Sequence, residues 1–75
     1  MTQRIEEIER KVGENIRRII KEMGLHFKDV ERDAGIPSSY ISKYASGCKS
    51  MRAGAVYAIA RVLKVNVKKF FEGCE

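Results

Sequence analysis

The sequence predicts an all-α chain of five helices, compact and with an extended first helix, and three observations carry that expectation. Apolar residues recur at steps of three and four. Glycines at positions 24, 35 and 47 punctuate the periodic segments. No stretch alternates with the period of two that marks a half-buried strand.

In the first segment, Ile5, Ile8, Val12, Ile16, Ile19 and Met23 fall on one helix face. Gly24 follows as a C-terminal stop, so helix 1 is expected from about residue 3 to residue 23, with a loosening at Gly13. A short second helix runs from about Phe27 to Ala34, with His26 standing where a cap is needed. Pro37 starts the third helix, because its missing N–H costs nothing in a first turn; Ser38 is the alternative N-cap. That helix turns Ile41 and Tyr44 inward and stops at Gly47. The fourth, about Arg52 to Leu63, has Ala55, Val56, Ile59, Ala60, Val62 and Leu63 to bury. Asn66 can cap a last short helix carrying Val67, Phe70 and Phe71.

A chain of 75 residues makes one domain at most. Its parts read as an extension of helix 1 over residues 1–11, a folded domain over 12–72 and a tail over 73–75. A domain of this size buries only roughly 60% of its unfolded surface and has little room for a deep substrate pocket. With one histidine and no nucleophile–base arrangement, nothing points to an enzyme. Cys48 and Cys74 form neither a disulfide framework nor a zinc site and are expected as reduced thiols. No metal, cofactor or small-molecule effector is expected. The polar N-terminus and the absence of a long apolar run lead to a cytoplasmic expectation.

The charge is unevenly spread. Residues 1–33 hold eight basic and eight acidic side chains, whereas Ala34 to Phe71 hold seven basic and no acidic ones, within a net charge of +5. An acid-free half predicts one positive face and a polyanionic partner.

Helices 2 and 3, joined through Ala34-Gly35-Ile36-Pro37, have the geometry of a helix-turn-helix. Gly35 can take the left-handed backbone conformation the turn demands, and Val30, Ile36 and Ile41 can fill the angle from inside. Beyond that geometry, "VGENIRRI", "FKDVERDAGIPSSYISKYASG" and "AIARVLKVNVKKFF" resemble the first helix, the helix-turn-helix and the closing segment of the Cro and lambda-repressor type family, often called Xre. The resemblance covers about residues 12–71 without insertion. It implies a lambda-repressor-like fold and a sequence-specific DNA-binding regulator.

The resemblance also implies roles. Base reading falls to Ser38, Ser39, Ser42 and Lys43, with Pro37 and Tyr40 alongside. Serine hydroxyls donate or accept, Lys43 can reach guanine acceptors, and Tyr40 can touch a thymine methyl or a phosphate. Phosphate contacts fall to Lys28, Ser46, Lys49 and Arg52, with the N-terminus of helix 2 offering backbone N–H groups. Three residues depart from the family's habit. Phe27 replaces a polar residue opening helix 2, either losing a phosphate contact or packing under helix 1. Glu31 replaces a small residue and is expected to point outward, leaving Ala34 to make the close contact. Met51 stands where a proline is usual.

Ile5 and Ile8 prolong the apolar stripe and need a cover, either Phe70 and Phe71 of the same chain or a second copy. The dimerisation candidates are therefore Ile5, Ile8, Val67, Phe70 and Phe71, in a homodimer matched to a palindromic operator with half-sites roughly 34 Å apart. The sequence thus points to a repressor. The competing expectation is a protein-interaction or antitoxin-like module without its own operator, favoured by Phe27, Glu31 and the apolar extension.

Overall fold

Ile16, Ile41, Ile59 and Phe70 have no exposed surface, and the helices are arranged around them. The computed structural model describes residues 5–47 and 52–74. The elements are α1 (Ile5–Glu22), α2 (Phe27–Ala34), α3 (Ser38–Ala45), α4 (Ala53–Leu63) and a 3-10 helix (Val67–Phe71). No strand occurs among the described residues. The expectations that fall on the residues before Ile5 and on Cys48, Lys49 and Met51 lie outside them.

The all-α reading stands, with one change of type. The last element is a 3-10 turn rather than an α-helix, in keeping with its length of five residues. Asn66 caps it as expected, its Oδ1 accepting the Lys68 N–H at 2.9 Å. The start of α3 also shifts. Pro37 has φ −54° and ψ 137°, so it is the N-cap and the helix begins at Ser38. Its carbonyl accepts the first two helical bonds, from Tyr40 and Ile41, at 2.9 and 3.1 Å.

α1 buries Val12, Gly13, Asn15, Ile16, Ile19 and Ile20. The centre of the predicted stripe is therefore buried, but its ends are not: Ile5 and Met23 are exposed. Glu6 and Glu7 in the first turn and Lys21 in the last suit the helix dipole. The helix ends in two bonds, Leu25 N–H to Ile20 O at 3.1 Å and Gly24 N–H to Lys21 O at 3.0 Å. Together they satisfy carbonyls that would otherwise be orphaned.

Gly13 does not loosen α1; the helix runs through it without a break. The residue is glycine because α1 lies hard against the C-terminal end of α3. A Cβ at position 13 would stand 2.2 Å from the Tyr44 carbonyl oxygen. On the same helix, buried Asn15 donates through Nδ2 to the carbonyls of Phe70 and Glu72, both at 2.9 Å. That bond pair ties the 3-10 helix to α1 and satisfies backbone groups that burial would otherwise penalise. Nothing in the spacing of Asn15 within its apolar neighbours announced this role.

α2 packs on α3 and α4, and α1 on α3 and the 3-10 helix. α4 contributes Val56, Ile59, Ala60 and Leu63 to the core, with Ala55 and Val62 half-buried.

Gly13→Ala is expected to destabilise the domain by about 1–3 kcal/mol, since the obstructing atom is backbone and cannot rotate away. Urea denaturation checks this, and an unchanged midpoint would contradict the close approach.

Candidate nucleic-acid interface

α3 has eight residues, of which Ile41, Tyr44 and Ala45 are buried. Positions i, i+3 and i+4 form one face, so the opposite face turns outward by the same periodicity. On it Ser39, Tyr40, Ser42, Lys43 and Ser46 are exposed, with Pro37 exposed and Ser38 half-buried at its start. The six predicted base-reading residues, Pro37, Ser38, Ser39, Tyr40, Ser42 and Lys43, are thus brought onto one short segment whose polar side is not packed into the core.

The turn before α3 has the expected conformation. Gly35 adopts φ 73°, ψ 19°, and its N–H bonds the Glu31 carbonyl at 2.9 Å. A side chain there would pay the left-handed penalty. Val30 is fully buried, and Ala34 and Ile36 pack against the core from the turn.

Two side chains at the interface already have partners within the protein. The Tyr40 ring meets Tyr44 edge-on, with centroids 6.2 Å apart and planes at 71°. This contact steadies a ring that remains 41% exposed. The Ser46 hydroxyl donates to the Lys43 carbonyl at 3.0 Å and closes the end of α3.

Of the predicted phosphate contacts, Lys28 and Arg52 are exposed, Lys28 in the first turn of α2 and Arg52 as N-cap of α4. Lys49 lies outside the described residues. His26 occupies the N-cap position of α2 with extended backbone, φ −104° and ψ 159°. Its N–H donates to the Asp29 carboxylate at 2.8 Å. A carboxylate therefore already stands at the helix end where free N–H groups were expected to meet a phosphate.

The departures at Phe27 and Glu31 acquire reasons. Phe27 is half-buried against the core and shares a cleft with Arg17, Ile20 and Lys21 of α1. Glu31 is exposed, as expected, but it is not idle. Its Oε1 accepts the backbone N–H of Ser38. Pro37, as N-cap, has no side-chain oxygen to offer, so Glu31 supplies across the turn the acceptor that Ser or Asp would supply locally. Its hydrogen bonding to Ser38, the backbone N–H foremost, more than the nearby Lys28 charge, holds Glu31 below the ordinary carboxylate range.

The dimerisation candidates separate. Ile5 is 72% and Phe71 43% exposed, whereas Phe70 is 0% exposed. Phe70 is a core residue of its own chain and has no surface to give a partner. Ile8 is half-buried and lines an apolar cleft with Val12, Tyr44, Val56 and Phe71. A second cleft shares Val56 and Phe71 and adds Ala53, Tyr57 and Val67.

The family model for the Cro/C1-type HTH DNA-binding domain matches residues 15–72. The chain belongs to that family. It is thus a helix-turn-helix DNA-binding domain, as the sequence resemblance implied. No curated protein sequence matches it. Among solved structures, the fold is similar to that of the restriction-modification controller protein C.AhdI from Aeromonas hydrophila, with a TM-score of 0.79 at 19% identity. The match covers 83% of this chain and 94% of that one. In this family's fold the second helix of the motif is α3. No helix among the described residues is long and apolar enough to cross a membrane.

Because the folded-state pKa of Glu31 is depressed, its cap contributes fully above the unfolded-state value. It is lost as pH falls through the folded-state value. The melting-temperature gap between the wild type and Glu31→Gln is therefore expected to be widest near pH 7 and to narrow towards about pH 3. A gap that grows on acidification would contradict the assignment.

Proposed function

We propose that the protein is a sequence-specific transcriptional regulator, a repressor that occupies a palindromic operator as a homodimer. The observation that carries this reading is the exposed serine-and-lysine face of α3, in a Cro/C1-type domain whose sequence from Ala34 to Phe71 has no acidic residue. α3 lies in the major groove, with Pro37, Ser38, Ser39, Tyr40, Ser42 and Lys43 towards the base edges. Lys28, Ser46, Lys49 and Arg52 contact phosphates on either side. The likeness in fold to a restriction-modification controller protein supports a regulatory role. Such a protein works in the compartment that holds the DNA, the cytoplasm.

A second copy covers the apolar face formed by Ile5, Ile8, Val67 and Phe71. The exposure of Ile5 and Phe71 supports this, as does the run of two apolar clefts through Val56 and Phe71. Pairing about a two-fold axis places the same patch on both partners and presents two α3 helices to related half-sites.

The features that favoured an interaction module weigh less than they did in the sequence. Phe27 is taken up by packing and Glu31 by the start of α3.

Selection from random duplex DNA is expected to enrich an inverted repeat; enrichment of no sequence would refute the reading. On the selected site, Lys43→Ala should cost about 1–3 kcal/mol per half-site and relax one base position. Arg52→Ala should weaken all sequences alike and reduce the salt dependence by about one phosphate.

In sedimentation at micromolar concentration the full chain is expected as a dimer, and both Phe71→Glu and a chain lacking residues 1–10 as monomers. Dimers in both variants would clear this face of the role.

A further inference from the structure

α1 meets the rest of the fold along two edges, and the edges have different neighbours. On one of them Asn15 is bonded to the carbonyls of Phe70 and Glu72, and the Lys11 stem lies against Gly73. That edge belongs to the 3-10 helix and the residues after it. The other edge belongs to the helix-turn-helix. Gly13 lies under the Tyr44 carbonyl in the last turn of α3. One turn earlier Arg10 runs beside Gly47, where a Cβ would stand 3.3 Å from the Arg10 Cγ. Further along, Arg17, Ile20 and Lys21 share a cleft with His26 and Phe27 at the start of α2.

Three cations border this second edge. At 3.6 residues per turn, Arg10, Arg17 and Lys21 fall within about 40° of one another and span roughly 16 Å of helix. All three are exposed. Among the described residues none of them is in an ion pair; the salt bridge found there joins Arg32 and Asp33. Two exposed acids share the row, Glu6 before it and Glu14 within it. Arg18, also exposed, is turned about 100° from Arg17, towards the edge of Asn15.

The row joins two places already assigned to phosphates. Its first member lies beside Gly47, next in the chain to Ser46, and its last two lie beside Phe27, next to Lys28. Around the start of α2, Arg17, Lys21 and Lys28 outnumber the carboxylate of Asp29, which is bonded to the His26 N–H. One strand of a duplex carries a phosphate about every 3.4 Å of its axis, so a row of this length passes several.

We propose that α1 is a further phosphate-contacting element, in which Arg10, Arg17 and Lys21 follow the DNA backbone between the end of α3 and the start of α2. Arg10 lies outside residues 15–72, which the family model matches, so the binding surface extends into the prolonged first helix. Phosphate contacts carry no base information, and the row therefore adds affinity and salt dependence on every sequence alike. Glu14 works against it. This inference rests on the reading that α3 lies in the major groove.

The test is fluorescence anisotropy of the full chain on its selected site and on random duplex DNA, over a series of salt concentrations. Arg10→Gln, Arg17→Gln, Lys21→Gln, Glu14→Gln and Arg18→Gln are compared with the wild type, and melting curves establish that each is folded. Glutamine keeps the part of the Arg10 stem that lies against Gly47. Each of the first three is expected to weaken binding to both DNAs by about three- to tenfold. Each should also lower the slope of log affinity against log salt by about 0.9 per subunit. Glu14→Gln should strengthen binding to both DNAs by about two- to threefold. Arg18→Gln should change neither affinity by more than about twofold. If Arg10→Gln does not fold, the other four variants decide the matter by the same criteria.

A loss in Arg18→Gln equal to that of the other three would mean that only net charge is felt, and would overturn the proposal. Weaker binding with an unchanged salt slope would do the same, because it marks residues that only steady the fold. Both outcomes leave DNA reading by α3 intact. Failure of the wild type to enrich any sequence would instead remove the groove-binding reading on which the proposal depends.

Discussion

An eight-residue helix does not hold itself together in water. Nucleation costs more than so few intrahelical bonds return, and isolated helices shorter than about 12–15 residues are marginal. α3 is of this kind, and the rest of the fold can be understood as the means of holding it. Ile41 at its middle is fully buried, a contribution of about 1.5–3 kcal/mol. Its last turn lies against α1 so closely that only glycine fits at position 13. Its first N–H is held by Glu31. The serine-and-lysine face is left outward because Ile41, Tyr44 and Ala45 turn the opposite face into the core.

The same economy explains why α1 is long. Its central turns carry the core, and its buried Asn15 anchors the 3-10 helix through two carbonyls. That anchoring seats Phe70 in the interior and leaves Phe71 at the surface beside the cleft lined by Ile8. Two adjacent phenylalanines thus have opposite fates, one buried and one exposed. Adjacent residues on a helix point in different directions, and the register of the turn decides which is which.

Most of the elements were legible because they obey local rules. The stripe of α1, the Gly35 turn and the inward pair Ile41 and Tyr44 all follow from periodicity and from backbone sterics. The reading fell short where a residue's reason is not local. Gly13 reads as a weak point in a helix unless the neighbouring chain is known to pass beside it. Phe70 reads as a candidate for any apolar contact until the turn that buries it is seen. Glu31 reads as a bulky misfit in its own helix, and its partner is seven residues away across a bend. Asn15 is polar in an apolar stretch, with partners 55 and 57 residues distant.

Composition and spacing by themselves established an all-helical chain, a helix-turn-helix around Gly35 and an acid-free, basic second half. These depend on backbone conformation and side-chain period, which each segment carries within itself. Which polar groups remain available at the face of α3, which phenylalanine is exposed and why position 13 tolerates no side chain were decided only by the folded arrangement. Hydrogen-bond donors are spent and surfaces are covered by residues far away in the chain, and no local pattern records that.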